Sequence, residues 1–228
     1  MKNVVLSLAL VILVVGSLPG TLAAADTAQT AAAPPQGYVL VEEDVMVVLV
    51  NEAHQSFLRA SENFAKGKMK AAAAEIRKGE AYVKLEAARA TAEGKKALLG
   101  SAGELKLLAD RVEKGALKDG KVLKNTFARA EYALARHHYL KAAEQWENKE
   151  SQKVAYHLNA TAAYIDSGQI WLTKKMHAGV ADIKNEARRI AAQVTAKTSV
   201  ERQELGKAID NLGKEIEKYG KGLEPAQK

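Results

Sequence analysis

From Glu42 to Tyr219 apolar positions recur every three or four residues, the spacing that lays one hydrophobic stripe along a helix. Punctuation divides this pattern into Glu42–Ala65, Met69–Glu93, Ser101–Lys114, Lys121–Glu147, Gln152–Met176, Val180–Lys197 and Ser199–Tyr219. Lys66-Gly67-Lys68, the stretch Gly115 to Gly120, and Asn148-Lys149-Glu150-Ser151 interrupt it. Two capping boxes, Ser101-x-x-Glu104 and Thr198-x-x-Glu201, predict helix starts, because the hydroxyl accepts from one orphan backbone N–H while the carboxylate reaches back to another. The run from Val45 to Val50 is rich in β-branched residues and could begin the first element as a strand. Pro19, Pro34, Pro35 and Pro225 are the prolines, so none interrupts Gly37 to Glu224. Proline removes a backbone donor and clashes with the preceding turn, and its absence predicts an all-α bundle.

The chain matches itself best at a shift of 82 residues, which lays Tyr82 on Tyr164. In that register Phe57 falls on Tyr139, Phe64 on Trp146, Leu58 on Leu140, Ile76 on Leu158 and Val83 on Ile165. Two turns coincide as well, Lys66 to Lys68 with Asn148 to Glu150. Coincidence of rare aromatics and turns predicts a duplication of αα-hairpins, each followed by a third helix, with repeats over about 38–119 and 120–201. The helix at 199–219 would be a truncated third copy, because Leu123 meets Leu205 and Phe127 meets Ile209. The expected layout is one helical domain over 42–220 with a short tail at 221–228.

The N-terminus reads differently. A basic start at Lys2, an apolar run from Val4 to Val15, and small residues at Ala23-Ala24-Ala25 have the form of a signal peptide over 1–25. The apolar run is shorter than the ~20 residues a membrane span requires. An Ala/Thr/Gln/Pro stretch over 26–41 follows as a spacer. The expectation is a periplasmic protein with no transmembrane anchor after cleavage.

Composition narrows the chemistry. The chain has 228 residues, 47% hydrophobic, 27% charged and no cysteine, so disulfides, thiolate zinc sites, iron–sulfur clusters and cysteine nucleophiles are excluded. Its formal charge is +7, and lysines alternate with glutamates, as from Lys68 to Glu86, in the pattern of a salt-bridged helix surface rather than a nucleic-acid footprint. Gly115 to Val122 approaches a phosphate loop but lacks the magnesium-binding hydroxyl after Lys121 and a preceding strand. No nucleophile elbow, dinucleotide turn or acid pair appears, which predicts a protein that is not an enzyme. Glu62 and Glu144 match across the repeat, a correspondence that lysine pairing on the surface explains.

Five histidines remain: His54, His137, His138, His157 and His177. None stands in a Glu-x-x-His or His-Glu-x-x-His pattern. His137 and His138 point about 100° apart on a helix and need a ligand from another helix to hold an ion. If the turn at Lys149 folds two helices antiparallel, His138 comes opposite Ala160, about one turn from His157. His157, Tyr164 and Trp171 recur every seven residues beside an apolar stripe of Val154, Leu158, Thr161, Ile165 and Leu172. Such a stripe packs against a third helix. The first repeat has Glu75 and Arg89 where the second has His157 and Trp171.

Signal peptide, polar spacer and alanine-rich hairpins, seen best over Phe57 to Leu85, resemble YfdX-type periplasmic proteins. The resemblance implies helical hairpins and export, and carries no site residue. Tetratricopeptide hairpins share the texture, but not the period. Two functions are expected from these observations: a scaffold that binds a protein or peptide partner, in a stress or chaperone-type role without a cofactor, or a carrier of haem or a transition metal. In the carrier, His138 and His157 would hold the ligand, with His137, Tyr164 and Trp171 beside them.

Overall fold

A computed structural model describes residues 52–172, 179–196 and 202–223. These form seven helices: α1 (Glu52–Ala65), α2 (Met69–Ala88), α3 (Ala92–Glu113), α4 (Gly120–Glu147), α5 (Ser151–Gln169), α6 (Val180–Thr195) and α7 (Arg202–Leu223). Their apolar faces meet in one core that runs from Phe57 of α1 to Leu223 of α7. Among the described residues, no helix is long and apolar enough to cross a membrane. The signal peptide, the spacer, the Val45–Val50 question, the capping box at Thr198 and the last five residues of the tail lie outside the described residues.

Each helix packs on the next in sequence, and the pattern recurs. α1, α2 and α3 follow one another against α4 as α4, α5 and α6 follow one another against α7, with direct α1–α4 and α4–α7 contacts. The two hairpin turns are built alike. Gly67 and Lys149, 82 positions apart, both take the left-handed conformation, with φ of 70° and 62°. Most of their flanking backbone bonds correspond, beginning with Lys66 N–H to Glu62 O at 3.1 Å and Asn148 N–H to Glu144 O at 3.2 Å. Lys68 N–H to Asn63 O, at 2.9 Å, likewise matches Glu150 N–H to Gln145 O, at 3.0 Å. Lys149 thus adopts without a glycine the backbone that Gly67 adopts easily.

Small residues let these helices approach closely. At Gly79 of α2 an added Cβ would lie 2.3 Å from the Phe57 ring, which is itself fully buried and stacked on Phe127 at 4.5 Å. Between α4 and α7 the fit is periodic. Tyr132, Tyr139 and Trp146, seven residues apart, lie over Gly220, Gly213 and Gly206, also seven apart and running the opposite way. Arg202 caps this row, its guanidinium 4.2 Å above the Trp146 ring and bonded to the Trp146 carbonyl at 2.5 Å.

Several helix boundaries differ from the sequence pattern, and α7 continues to Leu223, past Tyr219 and into the expected tail, where Leu223 is buried. The helix expected from Ser101 begins at Ala92, where the Thr91 hydroxyl accepts from Gly94 N–H at 3.2 Å. Ser101 instead lies in the middle of α3, buried and with no hydrogen-bond partner for its hydroxyl, and Glu104 pairs outward with Arg129 at 2.7 Å. Correspondingly, α2 ends at Ala88 rather than Glu93. The helix expected to reach Met176 ends at Gln169, where the N–H groups of Trp171 and Leu172 turn back to Gly168 O and Gln169 O in a tight turn.

Candidate metal centre

The positive-φ turn at Lys149 folds α5 antiparallel to α4, and this sets the site. His138 of α4 then meets His157 of α5, with Nδ1 3.0 Å from Nδ1. One helix position earlier, His137 turns toward α2, its Nε2 3.4 Å from Oε2 of Glu86. Glu86, His137 and His138 each offer one ligand atom, and the three atoms lie within 4.8 Å of one another. All three residues are buried. The further ligand that two neighbouring histidines need from another helix is supplied from α2, by the Glu86 carboxylate.

Aromatic rings close the group from water. Tyr164 stacks on His138 with ring centroids 5.4 Å apart and planes 12° from parallel, and its hydroxyl meets that of Tyr82 at 2.8 Å. Tyr156 lies edge-on to both His138 and His157. On the other side of Glu86, Arg89 donates to Oε1 at 2.5 Å.

Burial governs the electrostatics. It holds His138 well below the ordinary imidazole value, with His137 and His157 adding to the effect, and it brings His157 down to about 3. Both rings are therefore neutral at pH 7. Burial would raise Glu86, but His137 and Arg89 outweigh it and hold the carboxyl below its usual value. Tyr164 is pushed up by burial and then by Tyr82, so it stays a hydroxyl. A neutral His138 and an ionised Glu86 are in the forms that bind metals. His137 Nδ1 and His157 Nε2 are buried without a hydrogen-bond partner, which costs free energy in a closed core.

Of the residues singled out in the sequence, His137, His138, His157 and Tyr164 come together. Trp171 does not join them. Released by the early end of α5, it packs against Phe127 at 5.2 Å and His54 at 5.9 Å. There His54 Nδ1 lies 2.8 Å from Oε1 of Glu131, a fully buried carboxyl that burial raises while His54 and Trp171 partly offset the rise. His177 lies outside the described residues. Glu75 pairs with Arg59 and Lys78 on the surface, and Glu62 and Glu144 pair with Lys66 and Lys141.

Sequence reasoning missed Glu86 and Glu131. For Glu86 a signal existed: it follows Tyr82 by four residues and so shares a helix face with the tyrosine that the repeat register had matched to Tyr164. Glu131 offered none, since its partner His54 is 77 residues away in the chain.

Two imidazoles and a carboxylate suit a first-row divalent ion of intermediate softness, whereas magnesium and calcium favour all-oxygen sites. The arrangement does not suit haem. His138 and His157 already touch through their Nδ1 atoms, and Tyr164 covers a face of His138, leaving no room for an iron and its macrocycle between the two rings. Fold and site together define an all-α helical bundle with a buried histidine–carboxylate cluster. Comparison with protein-family models, curated proteins and solved structures finds no match to this chain.

Proposed function

We propose that this is an exported, non-enzymatic helical bundle that holds one transition-metal ion in the Glu86–His137–His138 group. The observation that carries this reading is the convergence of three ligand atoms, from a carboxylate and two imidazoles, within 4.8 Å among buried residues. The facing atoms are only loosely paired with one another, His137 Nε2 lying 3.4 Å from Glu86 Oε2, and an ion between them would satisfy these desolvated groups more fully. The form of residues 1–25 supports export, and the matching turns support descent of the two halves from one duplicated hairpin unit.

Native mass spectrometry of the untagged protein, purified from the envelope of its host, tests the metal reading. One ion per processed chain is expected, retained through buffer exchange and lost in Glu86→Gln/His138→Leu. A bare chain that also takes up no zinc, cobalt, nickel or copper on titration would overturn it.

Partner binding is a second reading, and one surface favours it. Leu99 and Leu107 of α3 are 47% and 65% exposed, and on the same helix Gly100 and Gly103 face open space. This apolar strip would receive a helix or extended peptide. Loss of a crosslinked partner in Leu99→Asp/Leu107→Asp, with α-helical content unchanged, is the expected result.

A further inference from the structure

The contact between His138 and His157 constrains how the proposed ion could be held, and the argument rests on the metal reading above. Two Nδ1 atoms at 3.0 Å form a hydrogen bond only if one carries the proton and the other presents a lone pair. If His157 donates, the proton of neutral His138 sits on Nε2 and blocks that atom. If His138 donates, its Nε2 lone pair is free. With Nδ1 engaged by His157, Nε2 is the only nitrogen of His138 left for a ligand. Metal-bound imidazoles characteristically donate their second N–H to a fixed acceptor, which sets the tautomer and the ring orientation.

We propose that the site takes Zn²⁺, or Co²⁺ in its place, through Nε2 of His138 beside His137 and Glu86, and that His157 is a positioning residue that accepts from His138 Nδ1. His157 is thereby removed from the ligand set that its spacing from His138 suggested. In this tautomer the proton of His157 lies on Nε2, which is buried without a partner, so the ring's polar contact is made through Nδ1. Zinc fits because imidazole and carboxylate are among its usual ligands and the chain has no thiolate to offer a softer ion.

The test compares His157→Asn with His157→Leu in the full processed protein, titrated with Zn²⁺ and, for its visible absorption, Co²⁺. The amide oxygen of asparagine stands near the place of Nδ1 and accepts a hydrogen bond; leucine fills similar space and cannot. Zinc affinity is expected to fall about 10–100-fold in His157→Leu and to recover in His157→Asn, with the wild-type cobalt spectrum. An asparagine variant as weak as the leucine variant, or a leucine variant as tight as wild type, would overturn the role of His157. Histidine ¹⁵N chemical shifts of the zinc-loaded wild type give a second reading that needs no variant to fold: metal at Nε2 and a proton at Nδ1 of His138 are expected, and metal at Nδ1 overturns the proposal. Failure of wild type to bind either ion sinks the metal reading itself, whereas wild-type binding with the wrong nitrogen or no effect of His157 sinks only this refinement.

Discussion

At the scale of single residues, the same burial that prepares His138 and His157 for a metal makes the fold sensitive to acid. His157 titrates near 3 when folded and near 6.5 when unfolded, so between those values the unfolded chain binds the extra proton. The stability it contributes is complete above pH 6.5 and is lost progressively as the pH falls toward 3; His138 acts in the same direction. Metal-free protein should therefore show a melting temperature that falls from pH 6.5 to pH 4, followed by circular dichroism. In His157→Asn, which has no group to protonate, the fall should be shallower. The histidines were visible in the sequence because they are few and closely spaced. Glu86 and Glu131 were not, since a buried glutamate on a lysine- and glutamate-rich chain looks like its exposed neighbours until packing distinguishes it.

Among the helices, the position of caps is the clearest departure from sequence pattern. Ser101-x-x-Glu104 satisfies the capping-box spacing, yet no helix starts there, because Ala92 to Ser101 continue the apolar face of α3 with Leu98 fully buried. Substitutions at the two sites should separate in sign. Thr91→Ala removes an oxygen that accepts from Gly94 N–H and should cost about 1 kcal/mol. Ser101→Ala removes a buried hydroxyl with no partner and should be neutral or stabilising. Chemical denaturation of both variants measures this, and a larger loss at Ser101 would contradict the boundary. The α4–α7 pairing was also present in the sequence, as glycines at 206, 213 and 220 and aromatics at 132, 139 and 146. Both rows have a seven-residue period, but only their antiparallel contact reveals that one fills the other.

For the whole molecule, the two tyrosines that the 82-residue shift aligns meet in the core. Tyr82 and Tyr164 occupy equivalent positions 82 residues apart, and their hydroxyls touch at 2.8 Å, joining α2 of one half to α5 of the other. Tyr82→Phe leaves the fully buried Tyr164 hydroxyl without that bond and should cost about 1–3 kcal/mol, and adding Tyr164→Phe should restore part of the loss. A double variant whose loss equals the sum of the two singles would show that the hydroxyls do not act as a pair. The sequence by itself determined the helical class and the two hairpin turns, because helix periodicity, proline exclusion and turn chemistry act over a few residues. Tertiary structure decided which polar residues converge. Glu86 reaches His137 across 51 positions of chain, and Trp171 leaves the histidine stripe once α5 ends, because convergence depends on how helices distant in sequence are rotated and stacked around a shared core.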